Sequence, residues 1–206
     1  MTRRRLVVVV LAALVLAGGV VAARGMTGGA AAKTPPLRGN AVWAPGARPA
    51  PPIRLRDQDG HAVRLSQLLG RPVLLAFLDS HCRTLCPVLG HELGGLQQSL
   101  GATRRANLVA VSVNIADTPA SVRAAARRWG WPPGWTWLMG TAARLSAVWR
   151  EYGVSVRPTA TDMTHTSVVY LIDTRGDERA GFLPPLNVAQ LAVDVRLLDR
   201  ETASGS

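Results

Sequence analysis

Cysteine is nearly absent: Cys82 and Cys86 are the only two in 206 residues, and they stand four positions apart. A disulfide scaffold needs more cysteines, spread more widely, so this pair does not staple the fold. Two thiols in one short stretch point instead to a shared local task, either redox exchange or metal ligation. Lysine is rarer still. Lys33 is the single one among 24 basic residues, so the net charge of +11 is an arginine charge. Three of those arginines, Arg3, Arg4 and Arg5, sit at the N-terminus and the rest are scattered. A nucleic-acid footprint needs clustered cations with interleaved aromatics, which this chain lacks, so no nucleic-acid partner is expected. There is no internal repeat. The length suits one domain of about 150 residues with a terminal appendage.

The appendage is apolar. Leu6 to Ala23 is an uncharged run rich in Val, Leu and Ala, directly after the three arginines. At 18 residues it is longer than a usual signal-peptide core and close to the length that spans a bilayer, so residues 1–24 are expected to be a retained signal anchor. The arginines would keep the N-terminus cytoplasmic and place the rest of the chain on the extracytoplasmic face of the cell membrane. Residues 25–50, with Pro35, Pro36, Pro45 and Pro49 among Gly and Ala, read as a stiffened tether. The folded domain is expected over 51–200, and 201–206 as a disordered tail.

Within that domain the pattern alternates strands and helices. Ile53–Arg56 and Ala62–Leu65 flank Asp59-Gly60 and predict an N-terminal β-hairpin. Val73–Leu78 is a continuous apolar run, the signature of a strand buried on both faces. A helix should follow over Pro87–Leu100, a second buried strand over Asn107–Val113, and a helix start at Asp117-Thr118-Pro119. Trp137–Met139, Ser167–Asp173 and Glu178–Phe182 read as strands; Ala142–Tyr152 and Val188–Leu198 read as helices. This is an α/β layered domain with at least one parallel strand pair. Trp129, Trp131, Trp135 and Trp137 crowd a Gly/Pro-rich loop, expected to lie as a lid over the core rather than to face a partner.

The chemistry concentrates in Asp79-Ser80-His81-Cys82-Arg83-Thr84-Leu85-Cys86-Pro87. If the first helical turn holds both cysteines, they lie at i and i+4 with Cα atoms about 6 Å apart, near the long end of what a disulfide tolerates. Such a bridge would be formable but strained, hence labile. Free N–H groups at a helix start favour thiolate, the form that attacks disulfides and binds metal. His81 adjoins Cys82 and is placed to tune it; His91 is expected to be solvated. A second element is His165, 79 residues beyond Cys86, at the mouth of a predicted strand.

Taken together, Cys-x3-Cys-Pro after a buried strand, Val111-Ser112-Val113-Asn114 with Asp117-Thr118-Pro119, and His165 followed by Tyr170-Leu171-Ile172-Asp173 resemble the Sco/SenC proteins. The resemblance runs from about Pro51 to Asp199. It implies a thioredoxin-like (peroxiredoxin-like) fold behind an N-terminal membrane anchor. It also implies copper as the bound metal, with Cys82, Cys86 and His165 as ligands, and the copper-site subunit of cytochrome c oxidase as recipient. Where that family commonly carries acids, this chain has Asn114 and Thr164, which predicts a more positive site with lower thiol pKa values. It also leaves His165 without a carboxylate to orient it. Two thiolates and an imidazole form a soft set suited to Cu(I). The competing reading is a thiol-disulfide oxidoreductase, with Cys82 and Cys86 catalytic and another extracytoplasmic thiol protein as partner. A peroxiredoxin pattern is not matched upstream of Cys82, and structural zinc would need a fourth ligand.

Overall fold

The computed structural model describes residues 36–101, 106–159 and 163–203. Leu6–Ala23 lies outside them, and among the described residues no helix is long and apolar enough to cross a membrane.

The hydrophobic run Val73–Leu78 forms β4, and every one of its residues is buried. It is central in a six-stranded sheet of order β1-β10-β9-β4-β5-β6, composed of β1 (Ala41–Val42), β10 (Glu178–Phe182), β9 (Val169–Ile172), β5 (Asn107–Ser112) and β6 (Thr136–Leu138). β4, β5 and β6 run parallel; β9 and β10 close the other side antiparallel. The remaining strands form two ribbons: β2 (Arg54–Arg56) with β3 (Ala62–Arg64), the expected hairpin, and β7 (Val156–Pro158) with β8 (Met163–His165). Among the described residues four α-helices pack on the sheet: α1 (Leu85–Leu100), α2 (Pro119–Arg128), α3 (Ala142–Glu151) and α4 (Val188–Ala203).

Period-2 alternation along β4 sorts its side chains into two cores. Leu74, Ala76 and Leu78 meet Leu89, Leu93 and Leu96 of α1 and Leu191 and Val195 of α4. Val73, Leu75 and Phe77 meet Leu145 and Val148 of α3, Tyr152, and Ile53 and Leu55 from the hairpin. Because both faces are covered, polar alternation is impossible and the strand reads as an unbroken apolar run. α2 begins where the sequence signalled it. Thr118 Oγ accepts from Ser121 N–H at 3.1 Å, Ser121 Oγ accepts from Thr118 N–H at 2.9 Å, and Pro119 takes the first helical position.

Residues 36–50, given to a tether on composition, are built onto this domain. β1 pairs with β10, Leu37 is buried, and the Arg48 guanidinium lies 4.3 Å from the Trp43 ring centre while pairing with the buried Glu178. Composition hides this because proline and glycine dominate the segment, whereas a few side chains do the anchoring. At the other end α4 continues past Leu198. Glu201, expected in a disordered tail, receives the Arg179 guanidinium at 2.7 Å.

The tryptophans form the lid expected of them. Trp129, Trp131 and Trp137 are buried, with ring centres 5.6 to 5.8 Å apart. Trp131 Nε1 donates to the Gly90 carbonyl at 2.8 Å, and Trp129 lies against α1 where Gly90 and Gly94 have no side chain. A Cβ on Gly90 would come within 2.3 Å of that indole, so the two glycines let the cysteine-bearing helix close onto the tryptophan layer.

Candidate metal and dithiol centre

Strand β4 delivers the chain to the cysteines at its C-terminal end. α1 starts only at Leu85, after Thr84 with φ −111° and ψ −88°. The expectation of both cysteines in one helical turn is therefore corrected. Cys86 is in the first turn, but Cys82 precedes the helix on a loop whose turn is closed by the Cys82 N–H donating to the Asp79 carbonyl at 3.3 Å. The reason lies beneath the loop. Asp79 is buried, and its Oδ1 accepts from the His81 N–H at 2.8 Å and from Asn114 Nδ2 at 3.1 Å, which commits this stretch to a side-chain turn instead of a helical one. An i,i+4 separation consequently does not describe the thiol pair.

Both cysteines are free, Cys82 at 8% and Cys86 at 2% exposure. They share a hydrogen bond that makes them unequal. That bond is the main cause holding the Cys82 thiol down at about 5, opposed by partial burial and assisted by the Thr84 hydroxyl and by the backbone N–H groups of Cys86 and Thr84. The same bond, together with burial, pushes Cys86 far up. The proton that the pair retains thus stays on Cys86, shared between the Cys82 thiolate and His165 Nε2. The expectation that both thiols are lowered holds for Cys82 alone, where backbone N–H groups contribute as expected but the Cys86 thiol contributes most; neither missing acids nor His81 is the cause. His81 directs Nδ1 to Asp117 at 3.3 Å and Asp79 at 3.5 Å.

His165, on β8, comes to the same place. Its Nε2 is 3.6 Å from Cys86 Sγ, and its Nδ1 is 3.0 Å from the Thr166 carbonyl. A carbonyl only accepts, so Nδ1 carries the proton and Nε2 presents a lone pair to the sulfur. The backbone thus does the orienting for which the sequence offered no carboxylate. A metal about 2.3 Å from the sulfur and about 2.0 Å from the nitrogen would subtend roughly 110° across this gap, a normal angle for a three- or four-coordinate ion. Cys82 is farther off. Among the described residues the three donor atoms are not gathered within 4.8 Å of one another, so closing a full ligand set requires movement of the Cys82 loop or of His165.

Asp79 and Asp117, named in the sequence only as the start of the cysteine segment and as a helix start, converge on His81 beside the cysteines, which the sequence did not signal. Asp117 Oδ1 takes the Ser80 hydroxyl at 2.5 Å, and burial raises its pKa. With His81 the two aspartates bring three potential ligand atoms within 4.8 Å of one another. Their Oδ1 atoms already accept from Ser80, the His81 N–H and Asn114, and carboxylates are hard donors, so the thiolate–imidazole set is the one suited to a soft metal. The signal that could have found Asp79 was an acid directly ending a buried strand. His91, expected to be solvated, is exposed.

A parallel three-strand half, an antiparallel half and a dithiol where the central strand meets a helix define a thioredoxin-like dithiol protein, here with a histidine brought to the buried cysteine. The chain belongs to the SCO1/SenC family, whose model matches residues 44–198. Among solved structures it is similar to copper-bound ScoI of Bradyrhizobium japonicum (28% identity, TM-score 0.65, covering 72% of this chain and 98% of that one). It also shares its fold with a SCO1/SenC family lipoprotein of Bacillus anthracis (20%, TM-score 0.69, 77% and 99%) and with apo Sco1 of Thermus thermophilus (23%, TM-score 0.65, 78% and 95%). No curated protein sequence matches the chain.

Proposed function

We propose that the reduced protein binds one copper ion through Cys82, Cys86 and His165. As a metallochaperone it would deliver that copper to the binuclear copper site of cytochrome c oxidase, or keep the cysteines of that site reduced. The observation that carries the reading is the 3.6 Å approach of His165 Nε2 to Cys86 Sγ with Nδ1 already held by the Thr166 carbonyl. Copper in the ScoI relative supports the choice of metal. At neutral pH Cys82 already offers a thiolate, so binding has to displace only the Cys86 proton. The domain would work extracytoplasmically, tethered through Leu6–Ala23. Recovery of the mature protein in soluble fractions with a new N-terminus near Arg24 would refute the tether.

A second reading, thiol-disulfide exchange, is favoured by the unequal thiols. The Cys82 thiolate would attack one sulfur of a partner disulfide, breaking that bond and releasing the other sulfur as thiolate. Cys86 would then lose its proton to that departing thiolate and attack Cys82 Sγ, breaking the mixed disulfide and expelling the partner's first sulfur as a thiolate, which takes its proton from water. The partner leaves as a dithiol and the protein holds the disulfide, two electrons having passed.

Titration of the reduced protein with Cu(I) under a competing chelator tests the proposal. One equivalent should bind, and none after oxidation to the disulfide, because the thiolates are then consumed. Equal copper uptake by the oxidised protein would refute it.

A further inference from the structure

A cavity of about 510 Å³ opens beside Cys82, between the start of α1 and the end of α2. Its apolar surface comes from Pro87 and Trp129, and its cations are Arg83 and Arg128. No acid lines it. Arg128 Nη2 donates to the Ser80 carbonyl, a neutral acceptor, at 3.2 Å. Among the described residues neither Arg83 nor Arg128 forms an ion pair; the arginine–carboxylate pairs are those of Arg48, Arg123 and Arg179. His81 adds no net charge to this count, since Asp79 and Asp117 stand behind it. Cys82 is part of the cavity wall, whereas Cys86 is nearly sealed. Anything that reacts at the Cys82 thiolate thus also meets two guanidinium groups that have no carboxylate partner among the described residues.

We propose that this cavity docks an acidic segment of the partner protein, with a carboxylate side chain beside the partner's reacting cysteine pairing with Arg128 and Arg83 and neighbouring apolar atoms resting on Pro87. Guanidinium forks match carboxylates in geometry, and unpaired charges at a site's mouth select partners of opposite sign. The assignment rests on Cys82 being the group that meets the partner, as in both readings above. It adds the partner's charge, which neither reading specifies.

The test uses the reduced full chain and two fluorescent peptides, read by anisotropy at low ionic strength. One carries Glu on both sides of a serine standing in for the partner cysteine; the other carries Gln at those positions. The Glu peptide should bind at least about tenfold more tightly, an advantage that salt erodes. The double variant Arg83→Glu/Arg128→Glu should abolish or invert the preference. Arg54→Glu/Arg64→Glu makes the same change in net charge at the other end of the sheet, near the turn after β9 that registers with the start of β4, and should leave the preference within about twofold. Equal affinity for the two peptides, or equal losses in both double variants, would overturn the proposal. Because the peptides carry no thiol, either result stands apart from the copper titration, which alone judges the metal reading.

Discussion

Gly90 and Gly95 lie on the same helix, both are interior to it, and the same substitution should move stability in opposite directions. An ideal Cβ at Gly90 falls 2.3 Å from Trp129 Cδ2, 2.4 Å from Cε3 and 2.7 Å from Cγ. Carbon atoms are comfortable at about 3.5–4.0 Å, so the overlap exceeds an ångström. Trp129 is 2% exposed with Trp131 and Trp137 against it, so its ring can yield by an ångström only by disturbing their packing. Relief requires α1 to move off the tryptophan layer. An overlap this large belongs at the upper end of overpacking costs, about 3 kcal/mol, against about 1 kcal/mol gained in helix propensity, so Gly90→Ala should cost about 2 kcal/mol net. A Cβ at Gly95 meets nothing within 4 Å. Gly95→Ala should therefore gain most of the propensity term, about 1 kcal/mol. With an m-value of about 2 kcal/mol/M in urea, the two variants should unfold with midpoints about 1.5 M apart, Gly95→Ala the higher. Midpoints that coincide, or the reverse order, would refute the view that Gly90 exists to admit Trp129.

Further expectations concern the thiols. Alkylation of the reduced protein should report Cys82 with a midpoint near pH 5 and a plateau above it, with Cys86 modified far more slowly; a single midpoint near the ordinary thiol value of 9.0 would contradict the shared hydrogen bond. The same shifts fix the sign of the pH dependence of folding. Between pH 5 and 9 the unfolded chain holds one proton more than the native state, so stability of the reduced form should rise with pH. Above 9 the protonated Cys86 reverses the sign and stability should fall, which denaturation of the reduced protein across that range checks. A stabilised thiolate also favours the reduced state, so the Cys82–Cys86 disulfide should have a potential above about −300 mV in glutathione buffers; a lower value would mark a structural bridge.

Much of this architecture is legible in the chain because burial on both faces writes itself as apolar runs: β4, β5 and β9 are each recognisable, and the Thr118-Pro119 cap locates α2 to the residue. The cysteine pair was legible from its spacing and the distal His165 through a resemblance, but the approach of His165 to Cys86 leaves no mark in the pattern, since 79 residues of chain separate them. β1 and the ribbon of β7 and β8 escaped notice for a common reason. Strands of two or three residues carry no periodicity, and their pairing depends on partners far away in sequence. The expected helix, Pro87–Leu100, starts two residues later than α1 does, and the loop that keeps Cys82 out of the first turn stayed hidden because Asp79 looks like an ordinary strand-end polar residue until its carboxylate is seen holding that loop. The group that orients His165 is a backbone carbonyl, which leaves no trace in side-chain identity.

The central claim is that His165 and the two cysteines act on one ion, and the affinity of His165→Ala for Cu(I) tests it most directly. Both thiols remain in that variant, and the bond between them that sets their pKa values does not involve the imidazole. If the claim holds, copper affinity measured by chelator competition should fall by about a hundredfold or more, beyond the loss expected from merely disturbing a ligand's support. Cys82 alkylation should keep its midpoint near pH 5. Affinity within about threefold of the unaltered protein would contradict the account and leave the dithiol as an exchange centre alone.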